Sequence, residues 1–262
     1  MRILIILVFS IITTSSFAVT FDGKFIQGHF ILGKTEPDSE VFIDNKKVKV
    51  TSDGYFVFGL SRDRENDVII SVNKKKIVKK VFKREYEIQR IDGLDEKKVT
   101  PPEEVYERIK RENKWIGEAR SKNSDLTFFK EKFILPLENT IITGVYGSQR
   151  ILNGKPKWPH YGLDFAADEG TKISAMLDGV VTLVESDLFY TGGTLIFDHG
   201  HGISTLYMHM EKIFVKKGQK VKKGDIVGTV GSTGRATGAH LDVRLNWFQT
   251  RLDPATVLDI KN

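Results

Sequence analysis

Five of the six histidines fall after residue 133, and three stretches there gather side chains that can hold a metal or move protons. In PHYGLDFAA (159–167), His160 and Asp164 stand four residues apart. An imidazole nitrogen and a carboxylate from one short segment are suitable donors for a first-row metal, zinc above all. In TLIFDHGHGISTLYMHM (194–210), a DHGHG turn joins two apolar runs. That hairpin leaves His199 and His201 near its tip, where exposure to solvent or a turn-stabilising role is expected, and carries His209 back toward the sheet face. In GSTGRATGAHLDVRLNWF (231–248), the two-residue period of a strand puts His240, Asp242 and Arg244 on one face. Gly231, Gly234 and Gly238 ahead of them supply a loop that can approach a substrate backbone closely.

These residues need a frame, and the chain divides into four segments. The first, 1–18 (MRILIILVFSIITTSSFA), has one positive charge, an apolar run and small residues ending at Ala18, the pattern of a cleaved secretory signal peptide. The run is shorter than the roughly 20 residues of a membrane span, so no stable membrane insertion is expected after cleavage. Residues 19–92 hold short runs rich in Val, Ile and Phe, among them FIQGHFILG (25–33), EVFIDNKKVKV (40–50), GYFVFGL (54–60) and DVIISVNKKKIVKKV (67–81). With Asp44-Asn45 and Asn73-Lys74 at turn positions, they predict a small antiparallel β-sandwich, His29 being a structural residue in one of its strands. Lys74, Lys75 and Lys76 read as a solvated hairpin tip. The third segment, 93–132, is a linker with a helix: Thr100-Pro101-Pro102-Glu103 forms a capping box, and Val105, Ile109 and Ile116 form an apolar stripe running to about Arg120. The fourth, 133–262, is glycine-punctuated and strand-rich, so the fold class is mainly β.

HxxxD at His160 and Asp164, a YxHM-type histidine at His209, and the run from Gly234 to Asp242 together resemble the three signatures of the lysostaphin-like (LytM-type) zinc metallo-endopeptidases, which act on peptidoglycan. GVYGSQR (144–150), DGVV (178–181), VKKGDIVG (221–228) and RLDP (251–254) add to the likeness, which covers about 133–256. The resemblance implies zinc held by His160, Asp164 and the residue at 242, with His209 and His240 serving the transition state. Arg150 falls on a recurrent arginine of the family; with Asn153 and Tyr190 it is a candidate for substrate binding. Trp158 and Trp247 read as core aromatics.

At 242 the sequence departs from the family pattern, reading HLD where the family has HxH. An aspartate oxygen lies as many bonds from the backbone as the nearer ring nitrogen of histidine, so Asp242 can ligate. A second carboxylate also makes the centre less positive and weakens it as a Lewis acid. Alternatively, Asp242 pairs with Arg244 and the site is incomplete. The protein would then bind the cell wall or activate a wall amidase. A third reading, a lipoyl-type carrier hairpin at 215–228, lacks the characteristic flanked lysine at its tip.

With 40 basic and 34 acidic residues the chain carries a net charge of +6; loss of the leader leaves 39 against 34. Such an excess suits an anionic polymer such as peptidoglycan, and export, to the periplasm or beyond, argues against nucleic acid. Cysteine is absent, so no disulfide holds the fold.

Overall fold

In the run from Val68 to Val72 the structure buries Val68, Ile70 and Val72 and leaves Ile69 39% exposed, as a strand does with one face on a core. The computed structural model describes residues 19–138 and 141–260, and the leader expected over 1–18 lies outside them. The N-terminal unit is built from β1 (Thr20–Asp22), β2 (Phe30–Lys34), β3 (Val41–Ile43), β4 (Lys46–Val48), β5 (Tyr55–Gly59), β6 (Val68–Val72) and β7 (Lys75–Lys79). Strands β1, β2 and β5 form one antiparallel sheet, and β4-β3-β6-β7 another. Both anticipated hairpins are two-residue turns, with φ of 48° and 67° at Asp44-Asn45 and 46° and 69° at Asn73-Lys74. Paired positive φ values give the turn whose twist matches that of the flanking strands. His29 falls one residue short of β2 rather than inside a strand; its carbonyl accepts the Leu60 N–H at 2.9 Å.

Strand β5 is apolar on both faces because it is covered on both: a Cβ on Gly59 would come closer than 3.0 Å to Leu252 of the C-terminal unit. Further ties cross the same boundary. Arg84 pairs with Asp253 at 2.5 Å, and Arg62 donates to the Gly147 carbonyl at 2.8 Å. One hydrophobic cluster runs from Ile31, Phe56 and Phe58 through to Leu241, Val243 and Leu252.

Strand β8 (Ile88–Ile91) leads to the short helix α1 (Glu96–Val99) and the longer α2 (Tyr106–Arg120). Thr100 is not the start of the long helix. It ends α1, donating its N–H to the Glu96 carbonyl, and α2 begins from a 3-10 turn at Glu103–Val105 with no side-chain cap. The buried side of α2 is Glu112, Ala119 and Arg120, on the same face as the anticipated stripe: Ile109 and Ile116 are half-buried there, and Ile116 packs on the cluster that Ala119 joins.

The C-terminal unit comprises β9 (Ile141–Gly144), β10 (Gln149–Leu152), β11 (Lys155–Pro156), β12 (Leu163–Ala166), β13 (Lys172–Ser174), β14 (Gly179–Leu188), β15 (Gly192–Gly200), β16 (Ile203–Ile213), β17 (Lys220–Val221), β18 (Ile226–Val230), β19 (His240–Trp247) and β20 (Thr250–Leu252). Its main sheet runs β17-β14-β15-β16-β19-β12-β9, and β10 pairs with β11 and, in parallel, with β8. Every residue of β15 is buried. The period of two explains this: Leu195 and Phe197 face the main core, while Ile196 faces the cluster under α2 with Leu183, Leu206 and Ala119.

That cover extends to the β15–β16 turn, where the exposure expected of His199 and His201 is overturned. Both are buried. The segment after α2 crosses the turn, with Ser124 accepting the His201 N–H and Phe129 packing 4.8 Å from the His201 ring. His199 is held by the Asp178 carbonyl at 2.7 Å and the Thr205 hydroxyl at 2.8 Å, and burial pushes its pKa down to about 4. The aromatics also divide: Trp247 is buried as anticipated, but Trp158 is 84% exposed rather than in the core.

Candidate active site

Strands β12 and β19 are antiparallel neighbours, and their register sets Asp164 directly opposite Asp242. Two carboxylates so placed repel one another unless something positive lies between them. His160 reaches in from the turn before β12. Its backbone N–H donates to the Ser148 carbonyl at 2.8 Å and its Nδ1 to the Val145 carbonyl at 3.1 Å. A carbonyl can only accept, so Nδ1 carries the hydrogen and Nε2 of the neutral ring is a lone pair. That lone pair faces Asp164 Oδ1 at 3.1 Å and Asp242 Oδ2 at 3.3 Å. All three residues are buried, and Asp164 Oδ1 has no hydrogen-bond donor among the described residues.

Three electron-rich atoms converging away from water require a cation or a proton at their centre. The proton option registers in His160 itself. Burial alone would lower its pKa, but the Asp242 charge and the hydrogen bonds that a protonated Nε2 would make to both carboxylates raise it above the ordinary 6.5. The spacing also suits zinc, because bonds of roughly 2.0–2.1 Å in tetrahedral array put ligand atoms about 3.3 Å apart. The residues present therefore fit the metal.

Arginines fix the outer edges of the two carboxylates. Arg150 donates to Asp164 Oδ2 at 2.8 Å, while Arg244 reaches Asp242 Oδ1 at 3.3 Å and Oδ2 at 3.1 Å. Against the opposing pull of burial, His160 and these arginines hold both aspartates below the ordinary carboxylate pKa, Asp242 well below. The Asp242–Arg244 pair anticipated as an alternative to ligation thus forms, while Asp242 Oδ2 still faces the cluster. Glycines make the packing possible. A Cβ on Gly144 would come closer than 3.0 Å to Asp164 Oδ2, and one on Gly162 equally close to Asp242 Oδ1.

His209 and His240 flank this cluster, their ring centroids 4.7 Å apart. The pairing of β15 with β16 slips between Leu195/Tyr207 and Gly193/Met210, and His209 occupies the resulting irregularity at φ 63°. Such bulges re-aim side chains. The His209 Nδ1 donates to the Thr233 carbonyl at 2.7 Å and the His240 Nδ1 to the Gly238 carbonyl at 2.8 Å. Each neutral ring therefore keeps Nε2 free. Burial, with the neighbouring His240, lowers the His209 pKa to about 4. The His240 Nε2 lies 4.0 Å from Asp164 Oδ1.

A cleft of about 320 Å³ opens over these groups, bounded by Arg150, Asp164, His209, His240 and Arg235, and on the far side by Gln89, Ile91 and Leu94. Of the three residues anticipated for substrate binding, only Arg150 lines it, and its guanidinium is engaged by Asp164 and Gln89. Asn153 is taken up by structure, pairing through its amide with the backbone of Leu94. Tyr190 stands behind the cleft, under the Arg235 guanidinium at 4.6 Å. Two contributors were missed: Arg235, passed over among the glycines of its loop, and the far wall, which carries no motif and arrives through the pairing of β8 with β10.

Residues 158–254 match the family profile described as peptidase family M23. Those residues form a peptidase M23 domain, of the LytM/lysostaphin-like kind. It is similar to the peptidoglycan DD-endopeptidase ShyA of Vibrio cholerae, 45% identical over 87 residues that make up 33% of this chain and 20% of ShyA. It is also similar to the DD-carboxypeptidase/endopeptidase Mpg of Neisseria meningitidis, 40% identical over 89 residues, 33% of this chain and 20% of Mpg. The chain thus spans about a fifth of the length of these curated relatives. A solved structure described as a peptidase M23 from Pseudomonas aeruginosa superposes with a TM-score of 0.70 at 26% identity, covering 89% of this chain and 95% of that one. That match takes in the N-terminal unit as well.

Proposed function

We propose that this protein is an exported zinc-dependent endopeptidase that cleaves peptide cross-links or stems of peptidoglycan. The observation that carries the proposal is the convergence of the His160 Nε2 lone pair with two carboxylate oxygens, one of them without a donor, beside a cleft that Asp164 borders together with two further histidines. Relatives named as peptidoglycan endopeptidases support the substrate class, and the net positive charge suits an anionic polymer. The leader read at 1–18 supports export to the periplasm or beyond. Among the described residues no helix is long and apolar enough to cross a membrane.

In this reading His160, Asp164 and Asp242 hold zinc, which when bound supplies Lewis-acid polarisation of the scissile carbonyl. Arg150 and Arg244 orient the two carboxylates. His209, kept neutral by burial, accepts the proton of the attacking water at Nε2, its other nitrogen being committed to the Thr233 carbonyl. His240, anchored through Nδ1 at Gly238, would serve the developing oxyanion as the imidazolium, in which Nε2 also carries a hydrogen to donate. The Asp242–Arg244 pair favours a second reading, in which the cleft binds wall or activates an amidase without catalysis.

Metal content separates the two. The purified chain, dialysed briefly after zinc loading, is expected to retain about one zinc, and Asp242→Ala to lose it and to release no peptide from purified wall. A wild-type chain that stays metal-free with zinc supplied would select the non-catalytic reading.

A further inference from the structure

Three guanidinium groups surround the candidate site, and they are not equivalent. Arg150 and Arg244 are each spent on a candidate ligand carboxylate. Arg235 makes no ion pair among the described residues. It lies in the loop between β18 and β19, its backbone N–H donating to the Tyr190 carbonyl at 2.9 Å. Its guanidinium rests on the Tyr190 ring at 4.6 Å, with one long bond of 3.4 Å from Nη1 to the Lys98 carbonyl. Five donors on a planar fork are thus left almost unused. The aromatic backing fixes the plane of that fork, and the side chain borders the cleft that also holds His209 and His240. Partial burial, with Arg150 and Arg244 nearby, lowers its pKa, so the charge is held at a cost that an incoming anion would offset.

We infer that Arg235 is a specificity residue that binds a carboxylate of the peptide substrate, close to the bond being cut. The inference rests on the peptidase reading and names the chemistry its substrate must carry. A forked pair of N–H groups suits a planar carboxylate, and a substrate amide in its place would leave the charge unmatched. A cross-linked stem peptide offers that group from two sources: the free C-terminal carboxylate of a stem, and the carboxylate of a diamino acid at the cross-link. Lys98 and Tyr190 hold the guanidinium in place and act only through it.

The test uses the zinc-loaded full chain and a purified cross-linked muropeptide dimer, alongside two forms of it in which one or the other carboxylate is converted to an amide. Arg235→Met keeps an apolar stem on Tyr190 and removes the charge; Arg235→Lys keeps charge without the fork. We expect Arg235→Met to lower kcat/KM on the dimer by roughly 100-fold, the size of loss typical when one partner of a buried charge pair is removed. The penalty should shrink at least tenfold on one amidated form, which identifies the source of the carboxylate, and Arg235→Lys should fall between. An equal penalty on all three substrates would overturn the inference and make Arg235 a structural residue.

Should the wild type cleave none of them, the peptidase reading fails by itself. The inference is then decided by calorimetric binding of the same three molecules. Weaker binding by Arg235→Met of the acid dimer and of one amidated form, but not of the other, would sustain it, and indifference to the carboxylate would overturn it.

Discussion

At the scale of single residues, the candidate site depends as much on side chains that are absent as on those present. Gly144 and Gly162 stand against the Asp164 and Asp242 carboxylates, with the Val243 carbonyl also close to Gly162. Gly144→Ala and Gly162→Ala should each push a carboxylate off its position. Zinc affinity is expected to fall by roughly 10–100-fold, the range for loss of a group that orients a ligand. Competition with a chelator measures it, while circular dichroism should stay native; undiminished affinity would mean that the aspartates do not ligate. A second expectation concerns His199. With a pKa of about 4 in the folded chain against an ordinary 6.5, it takes up its proton between those values only when unfolded. The stability this contributes is complete above pH 6.5 and falls as the pH drops toward 4, by about 1.4 kcal/mol per pH unit. Urea unfolding at pH 7.5 and pH 5 should therefore show a shallower loss for His199→Gln than for the wild type, and equal slopes would refute the assignment. His160, Asp164, Asp242, His209 and His240 were legible as a group because each sits in a short ordered motif. Arg235 and the true burial of His199 were not, since what surrounds them comes from segments far away in sequence.

Among the elements, those governed by local chemistry were the most readable. The turns at Asp44-Asn45 and Asn73-Lys74 announce themselves through Asp44, Asn45 and Asn73, residue types that tolerate positive φ, and alternation across β6 marks its buried face. The start of α2 was misread because Thr100-Pro101-Pro102-Glu103 satisfies a capping pattern locally, yet Thr100 is already committed to ending α1. Likewise nothing near residues 88–91 foretells parallel pairing with 149–152, a contact made between residues 61 positions apart such as Gln89 and Arg150. The Asn73-Lys74 turn gives a test at this scale. Lysine at φ 69° bears the steric cost of the left-handed region, which glycine does not. After the greater entropy loss of glycine on folding is set against that relief, Lys74→Gly should stabilise the chain by about 0.5 kcal/mol. A melting temperature that drops instead would mean that the Lys74 side chain makes stabilising contacts of its own.

For the molecule as a whole, the question is whether the N-terminal sandwich is an independent attachment. Leu252 lies against Gly59, Arg84 is paired with the nearly buried Asp253, and β8 completes the sheet beside Arg150. One apolar cluster includes side chains from both units. Buried surface shared in this way couples unfolding, because neither unit can open without exposing the other. Calorimetry of the full chain should give a single transition whose van't Hoff and calorimetric enthalpies agree. Zinc, binding only the folded site, should raise that whole transition by mass action. Gly59→Val, which overpacks the boundary, should cost about 1–3 kcal/mol and lower the same transition by several degrees without splitting it. Two separate transitions, of which only one moves with zinc, would show the sandwich to be a spacer. A single one would make it part of the body that holds Gln89, and through Gln89 the Arg150 guanidinium, against the site.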